Sequence, residues 1–132
     1  LDCTHIENFV PGTKFFAQLL LIPINSNCAL FWIQGESDSA SYYHASRYEE
    51  NFVKLLDGIK TYSACKTMKV VSGLVRPSHL MPYTNVTNQA LRNVSDATVD
   101  TMPLTLCDGI HYCGEDQISL GRNMAHALLQ VS

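Results

Sequence analysis

Residues 28–34, CALFWIQ, are apolar at every position until Gln34. A strand of this composition has no polar face to give to water, so it must be covered on both sides. That favours a parallel sheet between two layers of helices over an antiparallel sheet with one wet face. A second run at 68–75, MKVVSGLV, has the same character. Around these runs the period changes to that of a helix. Residues 43–60 place Tyr48, Phe52, Leu55, Leu56 and Ile59 on one apolar stripe. Further helices are predicted at 13–21, stopped by Pro23 and the turn at 25–27, and at 84–94. A short strand is predicted at 98–104. A last helix at 117–130 carries Ile118, Ala125, Leu128 and Leu129 on one side.

The order α-β-α-β-α-β-α predicts a three-layer α/β/α fold with a parallel sheet. A chain of 132 residues, 46% hydrophobic and 16% charged, holds a single domain, 1–132, with a packed core. Three strands make a small sheet, with an edge and a face that nothing in the chain covers. Part of the fold is therefore expected from another segment or chain. A net charge of −3 and the lack of a Lys/Arg cluster argue against nucleic acid as the main partner. No apolar run approaches the ~20 residues that span a bilayer, since Gln18 and Pro23 interrupt the longest, at 15–24.

Five cysteines accompany two sequons, at Asn85 and Asn93. Together they point to an oxidising setting: a secreted or extracellular protein, or one of the secretory pathway and lysosome. Cys28 and Cys65 each open a predicted strand, and parallel neighbours would bring those starts within disulfide reach. Cys107 and Cys113 flank the DGIH turn and could clamp it. Cys3 remains, and could tether a further segment. His5, His44, His79 and His126 make no metal-ligand spacing with the cysteines, so no metal site is predicted. His126 lies off the stripe and is expected to face water.

In open α/β sheets ligands gather at the carboxyl ends of the strands. QGESDS at 34–39 follows the first strand, and CDGIHYCG at 107–114 lies between the last strand and the last helix. Both therefore fall on one rim. Asp108, three residues before His111 on a Gly-containing turn, could hold the imidazole in one tautomer, as a general base requires. The same spacing also suits a turn-capping Asp beside a surface His. Gln34 and Gly35 could aim an amide and a backbone N–H at one point, forming an oxyanion hole. Equally, Gln34 could satisfy a loop in which Gly35 takes a positive φ. Glu36 would orient Gln34 or hold the loop, and Asp38 and Ser39 would cap the helix beginning near Tyr43. Residues 76–79, RPSH, are a substrate contact or a plain loop. Tyr42, Tyr43 and Tyr48 would stack on a sugar or pack their helix.

Taken together, WIQGESDS resembles the W-x-Q-G-E-S-D block of the sialate O-acetylesterase and acetylxylan-esterase group, within the SGNH-hydrolase superfamily. DGIHYCGEDQISLGRNMAHAL resembles the closing D-G-x-H block and terminal helix of that group, and NQALRNV the helix before its last strand. The resemblance runs from about Pro11 to the C-terminus. It implies a flavodoxin-like SGNH fold of which this chain is the C-terminal portion. It also implies His111 as catalytic base, Asp108 as its orienting acid, and Gln34 and Gly35 in the oxyanion region supported by Glu36. The reaction implied is removal of acetyl groups from sugar hydroxyls, as in sialic acid or xylan, with no metal or other cofactor.

The nucleophilic serine of that group sits in an early G-x-S block, and residues 1–27 contain none. Ser26 precedes a strand and so lies at the opposite rim. The serine is therefore expected from a preceding segment or a second chain, possibly one joined through Cys3. Two alternatives stand beside this reading. One is an inactive esterase-like module for carbohydrate binding or assembly; the other is a small hydrolase that uses Ser37 or Ser39.

Overall fold

A computed structural model describes residues 4–132. Cys3, and the tether expected of it, lie outside the described residues. A 3-10 turn at Ile6–Phe9 leads into α1 (Lys14–Leu19), β1 (Asn27–Trp32), α2 (Glu36–Ser39), α3 (Tyr42–Ala45) and α4 (Tyr48–Tyr62). Then come β2 (Thr67–Gly73), α5 (Thr84–Val94), β3 (Ala97–Val99) and α6 (Gly114–Val131). The sheet has the order β1-β2-β3 and both pairs are parallel, with Phe31 opposite Val71 and Val71 opposite Ala97.

Alternation along β2 divides the core in two, because successive side chains point to opposite faces. Val70 joins Trp32, Phe52, Leu55, Ile59 and Leu91 under α4 and α5. Val71 joins Val99, Leu104, Tyr112, Leu120 and Met124 under α6. The apolar stripe of α4 is buried as its spacing predicts, with Tyr48, Phe52 and Leu55 fully enclosed.

Four sequence expectations change. The helix predicted at 43–60 is broken near Ser46, and its first turn stands apart as α3. The strand predicted at 98–104 ends after Val99, since Pro103 cannot donate to a ladder and residues 101–104 close a turn through Leu104 N–H and Thr101 O, 3.0 Å apart. On α6 the stripe of Ile118, Ala125 and Leu129 faces outward, with Ile118 62% and Leu129 75% exposed, while Leu120 and Met124 are buried. Finally, β1 is not covered on both faces as its apolar run suggests, which agrees with the bare edge and face expected of so small a sheet. Trp32 is buried on the α4 side, but Phe31 and Ile33 are 46% and 48% exposed on the other. The outer edge of β1 has no partner strand among the described residues.

Cys28 and Cys65 form a disulfide with their Cα atoms 5.8 Å apart. It ties the start of β1 to the residues that enter β2, at the end of the sheet opposite the QGESDS loop. The two cysteines are 37 residues apart in sequence. Cross-linking a loop of that size restricts the unfolded chain by roughly 3–4 kcal/mol. The Cys28→Ser/Cys65→Ser double variant should lose about that much stability, read as a lower urea midpoint with an otherwise native spectrum.

Candidate active site

The chain leaves β1 through a turn that glycine alone fits. Gly35 has φ +137°, and a Cβ there would lie 2.8 Å from Thr87 Cγ2 and 2.9 Å from Val75 Cγ2. Around it runs a continuous set of buried hydrogen bonds. Trp32 Nε1 donates to Tyr48 Oη at 2.9 Å, and the Tyr48 hydroxyl is placed to donate to Gln34 O at 2.8 Å or Gln34 Oε1 at 2.9 Å. Gln34 Nε2 donates to Thr4 O at 2.9 Å and Asp38 Oδ2 at 2.6 Å. The Ile6 N–H reaches both oxygens of Asp38 at 3.2 Å. Burial pushes the Asp38 carboxyl up, and the bonds from Gln34 and Ile6 oppose that shift.

Asp38 and Ser39 are thus not caps of α3, as the sequence suggests. They lie within the single turn of α2, and both are buried. The Ser39 hydroxyl sits between Gly35 O (2.7 Å) and Thr87 Oγ1 (2.9 Å), which removes it as a nucleophile in this arrangement. Both amide protons of Gln34 are taken internally, by Thr4 O and Asp38 Oδ2. Gln34 therefore organises this loop rather than presenting a free donor to the rim.

The second loop is held by different means. Leu106 and Tyr112 form an antiparallel bridge, Cys107 N–H donates to His111 O at 2.8 Å, and Cys113 N–H donates to Thr105 O at 3.0 Å. A disulfide joins Cys107 to Cys113 across this base. Within the loop Asp108 Oδ1 accepts the N–H groups of Ile110 (2.9 Å) and His111 (2.7 Å), while Oδ2 meets His111 Nδ1 at 2.6 Å. The bond to the His111 ring, followed by the two N–H groups, holds the Asp108 carboxyl well below the usual carboxylate range. With Nδ1 engaged, Nε2 is the ring nitrogen left for a substrate. Both side chains are more than half exposed. Nearby, Arg76 donates to the carbonyls of Met102 and Leu104, so this residue of the RPSH segment braces the turn after β3.

The two loops meet across a cleft of about 570 Å³, lined among others by Ile33, Gln34, Glu36, Ser37, His111 and Gln117. Burial pushes the Glu36 carboxyl up, against the N–H groups of Glu36 and Gly35 and the nearby His111. Ser37 lines the same cleft, but no hydrogen bond joins it to His111. Tyr48 is a core residue, whereas Tyr42 and Tyr43 are exposed, with the Arg47 guanidinium 3.9 Å from the centre of the Tyr43 ring. Asn85 and Asn93 are both exposed on α5, and Asn93 Nδ2 donates to Glu49 Oε2 at 2.9 Å. Sequence reasoning missed Asp38 as the partner of Gln34; their i, i+4 spacing, carried into a buried turn, was the available signal.

The class of fold is a parallel α/β/α sheet, with the Gln-Gly-Glu loop and the Asp–His loop on one rim. A family profile described as carbohydrate esterase, sialic acid-specific acetylesterase, matches residues 2–130, and the chain belongs to that family. Among solved structures, an X-ray structure of a protein from Arabidopsis thaliana matches with a TM-score of 0.79 at 23% identity. The match covers 96% of this chain and 57% of the Arabidopsis one, so the chain spans little more than half the length of that protein. At this identity the likeness concerns the fold. A search of curated proteins finds no match.

Two outcomes follow from the buried loop. Tyr48→Phe leaves Trp32 Nε1 and the Gln34 oxygens without their partner in a dry site, and should lower stability by about 2 kcal/mol in urea titrations. The Glu36 carboxyl is raised in the folded state, so the native protein binds the proton more tightly than the unfolded chain. Stability contributed by its neutral form is lost as pH rises through that raised value. Glu36→Gln should therefore raise the urea midpoint at pH 7 relative to the parent, and the gain should shrink at pH 4.

Proposed function

We propose that this chain is the C-terminal portion of a secreted carbohydrate O-acetylesterase whose nucleophilic serine comes from a preceding segment or a second chain. The observation that carries the reading is the Asp108–His111 pair, bonded at 2.6 Å, whose His111 lines the same cleft as Gln34 and Glu36. In the proposed reaction His111 Nε2 takes the proton of the incoming serine as its oxygen attacks the acetyl carbonyl. Asp108, ionised at neutral pH, stabilises the imidazolium and fixes the ring. His111 then returns the proton to the departing sugar hydroxyl, and water attacks the acyl-enzyme by the same route in reverse. Because the amide protons of Gln34 are turned inward, Gln34, Gly35 and Glu36 form the wall of the oxyanion region. The direct donors to the oxyanion arrive with the serine.

The missing portion has a place to go. The open edge of β1, the bare Phe31 and Ile33, and the outward stripe of α6 lie where another strand and its cover would pack. A parallel strand on that edge would deliver its carboxyl-end residues to the rim where His111 stands. Two disulfides and the sequons at Asn85 and Asn93 support a secretory setting, with acetylated glycans as substrates. The inward donors of Gln34 favour the alternative, an inactive module for carbohydrate binding or assembly.

The test uses the complete open reading frame, secreted and purified. It should hydrolyse an aryl acetate and O-acetylated sialic acid or xylan. In that protein His111→Ala and Asp108→Asn should each lower kcat about 10³- to 10⁴-fold. Hydrolysis unchanged in His111→Ala rules out His111 as the base. Binding of acetylated glycans without turnover establishes the module instead.

A further inference from the structure

We propose that a hollow beside the cleft is a second sugar subsite, so that the substrate is an acetylated oligosaccharide of uncharged sugars. The inference rests on the acetylesterase reading and names the substrate class of that same site. The hollow measures about 250 Å³ and shares Glu36, Ser37 and Ile110 with the lining of the cleft. A glycan that fills one therefore passes these three residues to reach the other. All the walls belong to this chain. His5 comes from the N-terminal segment, Ala40 from the end of α2, Leu80 and Met81 from the loop after β2, and Ile110 from the DGIH loop.

The lining has the two-sided character of a sugar, whose C–H faces suit apolar side chains and whose hydroxyls suit polar ones. Ala40, Leu80, Met81 and Ile110 supply the apolar part, and His5, Glu36 and Ser37 the polar part. Ser37 is half-buried, and its hydroxyl makes no hydrogen bond among the described residues, so it is available to a ligand at the junction. Among the described residues no Lys or Arg lines either hollow, and Glu36 adds a carboxyl. A carboxylate-bearing sugar is best held by a cation, above all Arg. An uncharged sugar fits this lining better.

The walls are also set in advance, which lowers the ordering cost of binding. Tyr83 N–H donates to Ser39 O at 2.9 Å and Met81 N–H to Ser78 O at 3.0 Å, fixing the loop after β2 against α2. Two residues beyond Ala40 and Met81 stand Tyr42 and Tyr83, both exposed, with ring centres 5.6 Å apart. Such rings offer an apolar face with a polar tip, which suits a further sugar.

The complete open reading frame, secreted and purified, is assayed on acetylated methyl xyloside and on acetylated xylotriose. A third substrate is a trisaccharide with a uronic acid next to the acetylated sugar. kcat/KM should be at least ~10-fold higher on xylotriose than on the xyloside, through KM more than kcat, as one hydrogen bond and a covered sugar face together give. Ala40→Leu, which fills the hollow from an exposed position, should erase that preference. Ser37→Ala should cut it about fivefold, the net worth of one hydrogen bond. Leu80→Ser, also at an exposed position, gives a second reading should Ala40→Leu disturb α2. Equal kcat/KM on xyloside and xylotriose, or a preference that Ala40→Leu and Leu80→Ser both leave intact, overturns the subsite. Faster turnover of the uronic-acid trisaccharide overturns its uncharged character. If no acetate ester is hydrolysed, the acetylesterase reading fails by itself, and calorimetry decides the subsite. Acetylated xylotriose binding that Ala40→Leu weakens then upholds it, and absence of binding overturns it.

Discussion

A buried carboxylate, Asp38, organises the rim of this molecule. It lies almost wholly out of water, and burying such a group is costly unless it is hydrogen-bonded. Its partners are the Gln34 amide and the Ile6 N–H, and through Gln34 the bonds pass to Tyr48 and Trp32. One polar chain thereby joins the N-terminal segment, the loop after β1 and the principal helix. No buried side-chain nitrogen or oxygen among the described residues lacks a partner. Such a network is worth most when complete, which makes the position of the Gln34–Glu36 loop a property of the core.

The opposite wall of the cleft is built by another logic. The Asp108–His111 pair stands in solvent, so little burial energy holds it. A disulfide, an antiparallel bridge and two N–H groups on one carboxylate oxygen take over that task. The exposed pair is thus held in one orientation by its own loop.

Much of this was legible in the sequence. The apolar runs marked β1 and β2 as strands of a parallel sheet, the stripe from Tyr48 to Ile59 set the buried face of α4, and the two polar clusters after the strands line one cleft. Cys28 faces Cys65 because both strands start at the same end. What escaped was set by tertiary context. The apolar pattern of α6 includes Ile118 and Leu129, but which side is buried depends on the width of the sheet beneath. That sheet is too narrow to cover the whole helix. Asp38 read as a cap because capping residues and buried acids are the same residue types, and only the closeness of Ile6 and Gln34 tells them apart. The stacking of His5 on His44 was unreadable, since the N-terminal turn meets α3 only in three dimensions.

The uncovered edge of β1 also bears on how the polypeptide behaves alone. Among the described residues no strand pairs with that edge, which lies beside Phe31 and Ile33 and offers a template onto which a second extended chain can add. Solutions of the isolated chain would then age by a process of higher than first order, set by how often two molecules meet. Dilution would protect such a sample better than cooling, and a synthetic strand capping the edge better than either.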